Sequence, residues 1–94
     1  MHLDFDFSRY YTVNPQLVEQ DADGDRVILN PDTGKIVTFD PLTAVIWEIM
    51  QSRNCFDDIL DILGEGFAVE EDQLKADLVA FWNGLIKDQF LFIV

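Results

Sequence analysis

The pattern of the sequence changes at Asp40-Pro41. Before this point, short runs of alternating apolar and polar residues are separated by turn residues, which is typical of β-strands. After it, apolar residues recur every three or four positions, which is typical of helices packed on a core. A chain of 94 residues builds one hydrophobic core. The sequence therefore predicts a single domain over residues 1–94, with strands followed by helices.

Three short runs with strand character precede the change, at residues 10–13, 26–30 and 35–39. Between the last two, the segment NPDTG places proline at the second position of a turn and glycine where positive φ is required. These two runs are predicted to form a β-hairpin, and the first run to complete a three-stranded antiparallel sheet. Residues 20–25 are predicted to be a polar loop, and residues 90–94 a short extended or packed tail.

Three helices are predicted after the change. Asp40 is a good N-cap and Pro41 suits the first helical position, so the first helix begins there and ends near residue 51. Asn54 is predicted to cap a second helix that ends at residues 64–66, and a third spans about residues 70–88. The side chains predicted to face the core are Leu42, Val45, Ile46, Ile49, Met50, Phe56, Ile59, Leu60, Leu63, Leu74, Leu78, Phe81, Trp82 and Leu85. Strands followed by three helices indicate an α+β fold of the winged helix-turn-helix kind.

The charge balance excludes several classes of partner. Eighteen acidic and six basic residues give a net charge of −12, and the basic residues are spread singly along the chain. Nucleic acids and anionic membranes bind clustered lysine and arginine, so neither is an expected partner. The acidic balance instead favours a basic protein or peptide surface.

No segment of the sequence indicates catalysis. Asp21, Asp23 and Asp25 imitate a calcium loop, but Arg26 stands where that loop needs glycine, so a solvated acidic loop is favoured and no metal is predicted. His2 has no neighbouring nucleophile, and Cys55 is expected to be structural. No cofactor is predicted, and the protein is not expected to be an enzyme. One cysteine and an acidic start without a signal peptide indicate a cytoplasmic protein.

Three segments resemble those of one protein family. Residues 39–47 (FDPLTAVIW) are similar to L-N-x-x-A-x-x-x-W, residues 56–67 (FDDILDILGEGF) to T-x-x-E-L-x-x-x-L-x-x-x-F, and residues 74–82 (LKADLVAFW) to D-V-x-x-F-L. The resemblance spans roughly residues 10–91. It is to the PqqD-like family, the recognition elements that bind leader peptides of ribosomally made, post-translationally modified peptides.

The resemblance implies a non-catalytic function. In that family an extended leader peptide adds to a sheet edge and is presented to a modifying enzyme such as a radical enzyme, a cyclase or a leader peptidase. The residues that this implies as peptide-binding are Lys35, Ile36, Val37, Thr38 and Phe39 on the strand, and Leu74, Asp77, Leu78 and Phe81 on the third helix. The pathway, pyrroloquinoline quinone, lasso peptide or another, stays open.

Two alternatives remain at this point. A winged helix could belong to a transcription factor, but five acids against two lysines on the predicted third helix oppose contact with phosphates. A protein-interaction subunit without a peptide ligand is the other.

Overall fold

The computed structural model describes residues 5–66 and 70–94. His2 and Phe67 lie outside the described residues. The elements in chain order are β1 (Tyr11–Val13), β2 (Val18–Ala22), β3 (Asp25–Asn30), β4 (Lys35–Phe39), α1 (Pro41–Ser52), α2 (Phe56–Gly66), α3 (Glu71–Lys87) and β5 (Leu91–Ile93). The fold is α+β, as the sequence predicts. The bounds of the three helices agree with the predicted ones to within two residues.

The larger sheet contains β2, β3 and β4 in that order, all antiparallel. The predicted hairpin of β3 and β4 is confirmed, and Gly34 has the positive φ that its turn requires. The predicted polar loop at residues 20–25 is wrong, because this segment contains most of β2 and its turn into β3. Asp23 and Gly24 have φ of 55° and 90°, the backbone of a two-residue type I′ turn. All five β2 residues are exposed, and their sequence, VEQDA, does not alternate between apolar and polar residues.

The first predicted strand belongs to a different sheet. β1 pairs with β5 in an antiparallel two-stranded sheet, in which Tyr11 is opposite Ile93 and Val13 is opposite Leu91. The predicted three-stranded sheet therefore has β2 where residues 10–13 were expected, and the predicted tail at residues 90–94 contains a strand. Two three-residue strands far apart in the chain carry little local signal of their pairing. The Tyr11 hydroxyl donates to the Met50 carbonyl at 2.6 Å, and burial raises the pKa of Tyr11.

The starts of α1 and α2 are capped in different ways. At α1 the Thr43 N–H donates to the Asp40 carboxylate at 2.8 Å, which lowers the pKa of Asp40. This confirms the predicted N-cap. At α2 the predicted Asn54 cap is wrong. The first helical N–H groups, on Phe56 and Asp57, instead donate to the backbone carbonyls of Arg9 and Phe7, at 3.5 and 3.0 Å.

One continuous core lies between the helices and the two sheets. Its most deeply buried large side chains include Trp47, Trp82, Phe56, Phe90 and Ile28. The predicted inner face of α1 is partly wrong, because Leu42 and Val45 are 55% and 47% exposed whereas Ala44, Trp47 and Met50 are buried. Apolar residues surround most of this helix, so periodicity alone did not identify the buried side. Within the described residues, no helix is both long and apolar enough to cross a membrane.

Candidate functional site

β4 forms one edge of the three-stranded sheet. It pairs with β3 on one side, and no other strand in the described part of the chain pairs with it. On the open side of such a strand, alternate residues direct backbone N–H and C=O groups away from the sheet. β4 therefore offers a row of hydrogen-bonding groups to an added strand.

Helix α3 lies beside β4 and runs in the opposite direction. The rings of Phe39, at the end of β4, and Phe81 lie edge to face with centroids 5.5 Å apart. At the other end, the Asn30 side-chain amide donates to the backbone carbonyl of Asp88 at 2.9 Å, and Asn30 is the partner of Lys35 in the sheet. The start of β4 thus faces the end of α3.

A groove of about 280 Å³ lies between β4 and α3. It is lined by Val37, Phe39, Ala80, Phe81, Gly84, Leu85, Asp88 and Phe90. Phe39, Leu85 and Phe90 are buried and form an apolar floor, while Val37 and Phe81 are half-buried. Ala80 and Gly84 are small, which leaves room on the helix side. The arrangement combines hydrogen-bonding groups on one wall with an apolar surface beside them.

The sequence-predicted site residues occupy five different settings. Val37, Phe39 and Phe81 line the groove. Lys35, Ile36 and Thr38 are exposed along the β4 edge.

The remaining three predicted residues lie on the first half of α3. Leu78 is 4% exposed and belongs to the core. Asp77 is exposed and accepts a hydrogen bond from the Gln73 side chain at 2.9 Å. Leu74 lines a separate depression against α2. The structure therefore does not bring Leu74 into the groove beside β4.

The sequence reasoning missed five groove residues on α3 and just after it: Ala80, Gly84, Leu85, Asp88 and Phe90. Gly84 and Asp88 follow Phe81 by three and seven positions, the spacing that places residues on one helix face. This spacing was available in the sequence. The prediction instead followed the large apolar residues, which pack the core.

The opposite edge of the sheet, β2, carries ion pairs and hydrogen bonds. The Glu19 carboxylate accepts from the Trp47 indole at 3.0 Å and from the Gln51 side chain at 2.7 Å. The Arg26 guanidinium contacts Asp21 at 3.2 Å and Glu48 at 2.7 Å. These contacts attach β2 to β3 and α1.

The other candidate sites have structural explanations. Asp23 occupies the turn between β2 and β3, and Asp21 pairs with Arg26, so the acidic segment is part of a hairpin. Among the residues that the structure describes, no group of three or more histidine, cysteine or acidic side chains is placed to hold a metal. Cys55 is half-buried, with its sulfur 3.8 Å from the carbonyl oxygens of Phe7 and Ser8.

The comparisons with known proteins agree with this fold. Residues 25–91 match the family described as "Coenzyme PQQ synthesis protein D (PqqD)". This region covers more than half of the chain and contains β3, β4, all three helices and every residue that lines the groove. The chain is a small α+β protein with an open strand edge beside a helix. It belongs to the PqqD family.

A solved structure shares the fold. The structure described as "TbiB1 in Complex with the TbiA(beta) Leader Peptide" matches with a TM-score of 0.73 and 21% sequence identity. The match covers 85% of this chain and 93% of that chain. No curated protein sequence matches this chain significantly.

Proposed function

We propose that this protein is a non-catalytic peptide-binding protein that recognises the leader of a ribosomally synthesised precursor peptide by strand addition to β4. The observation that carries the proposal is the open β4 edge beside the apolar groove of about 280 Å³. Membership of the PqqD family and the shared fold with TbiB1, which was solved with a leader peptide, support it.

Strand addition supplies both affinity and selectivity at such a site. The leader backbone pairs with the outward N–H and C=O groups of β4, and alternate leader side chains enter the groove. Burial of one or two apolar side chains together with these hydrogen bonds corresponds to a dissociation constant near 1 μM, or about −8 kcal/mol.

The predicted site residues have different roles in this proposal. The backbone of residues 35–39 pairs with the leader, and Val37, Phe39 and Phe81 contact its side chains. Leu78 supports the groove from the core. Leu74 and Asp77 contact a leader that extends past the Phe39 end of β4.

The proposal includes the setting in which the leader is used. Residues 1–94 act as one domain in the cytoplasm, with α2 and α3 as the helix pair of a winged helix-turn-helix arrangement. The bound leader is presented to a modifying enzyme, either a radical enzyme, a cyclase or a leader peptidase. The net charge of −12 favours a basic docking surface on that enzyme.

A titration tests the binding site. The ¹⁵N-labelled protein is titrated with the synthetic leader of a short precursor encoded beside its gene, and a scrambled leader of the same composition is the control. We expect the largest amide shifts at residues 35–40 and 80–88, with a dissociation constant near 1 μM. Shifts centred on β2 or α2 would sink the proposal, as would equal binding of the scrambled peptide.

A further inference from the structure

Gly84 is a helical glycine that the fold itself does not require. Glycine is among the least favourable residues inside a helix. Gly84 lies within α3, and its φ is not positive. A Cβ atom added there meets no heavy atom within 4 Å. Neither a turn nor close packing explains the missing side chain.

The space in front of Gly84 opens into the groove. Leu85 and Phe90, which are 4% and 0% exposed, lie on its floor, and Ala80 is the other small residue on this wall. A recess with an apolar floor and a small-residue wall accommodates a large apolar side chain. Gly84 is therefore the position on α3 where such a side chain can approach the helix backbone.

Asp88 lies at the end of the same groove, four residues after Gly84 and on the same helix face. It caps the C-terminal end of α3, where the helix dipole disfavours a negative charge and favours a cation. Its carboxylate forms no ion pair within residues 5–66 and 70–94, and neither Lys35 nor Lys87 pairs with it. This end of the groove therefore favours a positively charged group on the ligand.

The direction of the ligand fixes the order of the two contacts. A leader antiparallel to β4 runs parallel to α3, because β4 and α3 run in opposite directions. Gly84 and Asp88 are separated by about 6 Å along the helix. Two residues of an extended strand span about 7 Å and direct their side chains to the same face.

We propose that the groove recognises a large apolar leader residue over Gly84, followed two positions later by lysine or arginine beside Asp88. This inference rests on the proposed function and specifies its substrate class. The two positions act together because both side chains lie on the same face of the added strand.

A randomised peptide library tests the pattern without knowledge of the natural precursor. Twelve-residue peptides displayed on mRNA are selected on the wild-type protein, and the bound site is mapped by ¹⁵N amide shifts. We expect enrichment of Leu, Ile, Met or Phe followed two positions later by Lys or Arg. Selection on Asp88→Lys is expected to replace the basic residue by Asp or Glu. Asp58→Lys, the same change of charge at an exposed position of α2, is expected to leave the wild-type pattern.

Affinities of one selected peptide separate the two contacts. Asp88→Asn is expected to weaken it about fivefold, and to have no effect on the peptide whose basic residue is replaced by glutamine. Gly84→Leu adds a side chain at the recess, and its Cβ meets no heavy atom within 4 Å in the free protein, so it is expected to weaken binding at least tenfold with no loss of thermal stability. Gly66→Leu makes the same exchange at the end of α2 and is expected to leave the affinity unchanged.

The outcomes distinguish this inference from the proposed function. Selected peptides that shift β4 but lack the apolar-basic pattern, or whose pattern survives Asp88→Lys, would overturn the inference and leave strand addition intact. Unchanged affinity in Gly84→Leu would also overturn it. Selected peptides that shift only residues away from β4 and α3 would overturn both.

Discussion

The two edges of the three-stranded sheet, β2 and β4, are both exposed but differ in what lies beside them. β4 borders an apolar groove whose second wall is α3. β2 carries Glu19 and Asp21, which bond to side chains of α1 and β3. Charged residues on an edge strand oppose pairing with another chain. The difference favours β4 as the edge to which the proposed leader strand adds, because an apolar groove lies beside it.

Proline substitutions on the two edges should give the largest difference in leader affinity. In β4, Val37→Pro and Thr38→Pro are expected to weaken leader binding at least about tenfold, since one removes an outward N–H and the other disturbs the hairpin. In β2, Gln20→Pro and Asp21→Pro are expected to leave the affinity within about twofold. Calorimetric titration measures the affinities, and circular dichroism checks that each variant is folded. Unchanged affinity in both folded β4 variants would contradict strand addition.

Arg26→Met tests the ion pairs that attach β2 to β3 and α1. The substitution leaves Glu19, Asp21 and Glu48 without their shared cation. We expect the free energy of unfolding in urea to fall by about 1 kcal/mol, with leader affinity unchanged within about twofold.

Lys75→Met is the matched control for Arg26→Met. It removes one exposed pair with Glu71 at 3.4 Å and is expected to cost less than about 0.5 kcal/mol. A tenfold loss of leader affinity in Arg26→Met would mean that the two edges are not independent.

Asp40 connects the end of β4 to α1, and its expected effect is on the pH dependence of stability. Its hydrogen bond from Thr43 lowers the pKa of the carboxyl, so the folded state favours the ionised form. The stabilisation is therefore present above the ordinary carboxyl pKa of about 4 and is lost as pH falls through the lower folded value. Thermal melts should show Asp40→Ala less stable than wild type at pH 6, and the difference in melting temperature should disappear below about pH 4. A difference in melting temperature that stays constant down to pH 2 would contradict this.

The fold was predictable where the determining contacts are local. The NPDTG turn and the Asp40-Pro41 cap predict the β3–β4 hairpin and the start of α1, and both are observed. β2 was missed because its exposed side chains do not alternate, although Asp23-Gly24 is a strong hairpin signal. The β1–β5 pairing joins the two ends of the described chain and has no local signal.

The candidate site was predictable only in part. The family resemblance identified β4 and α3 as the two walls, and Val37, Phe39 and Phe81 line the groove between them. Sequence reasoning could not separate Leu78, which packs the core, from a residue on the groove surface, because both are large and apolar. The positions of Gly84 and Asp88 along the groove became clear only when the direction of α3 relative to β4 was known.

Amide hydrogen exchange of the leader complex tests strand addition most directly. Alternate residues of β4 direct their N–H groups away from β3, and these amides should exchange rapidly in the free protein. With saturating leader, their exchange is expected to slow at least about tenfold more than that of the outward amides of β2, which report the general stabilisation by ligand. Equal slowing on both edges, or protection on β2 alone, would contradict the account.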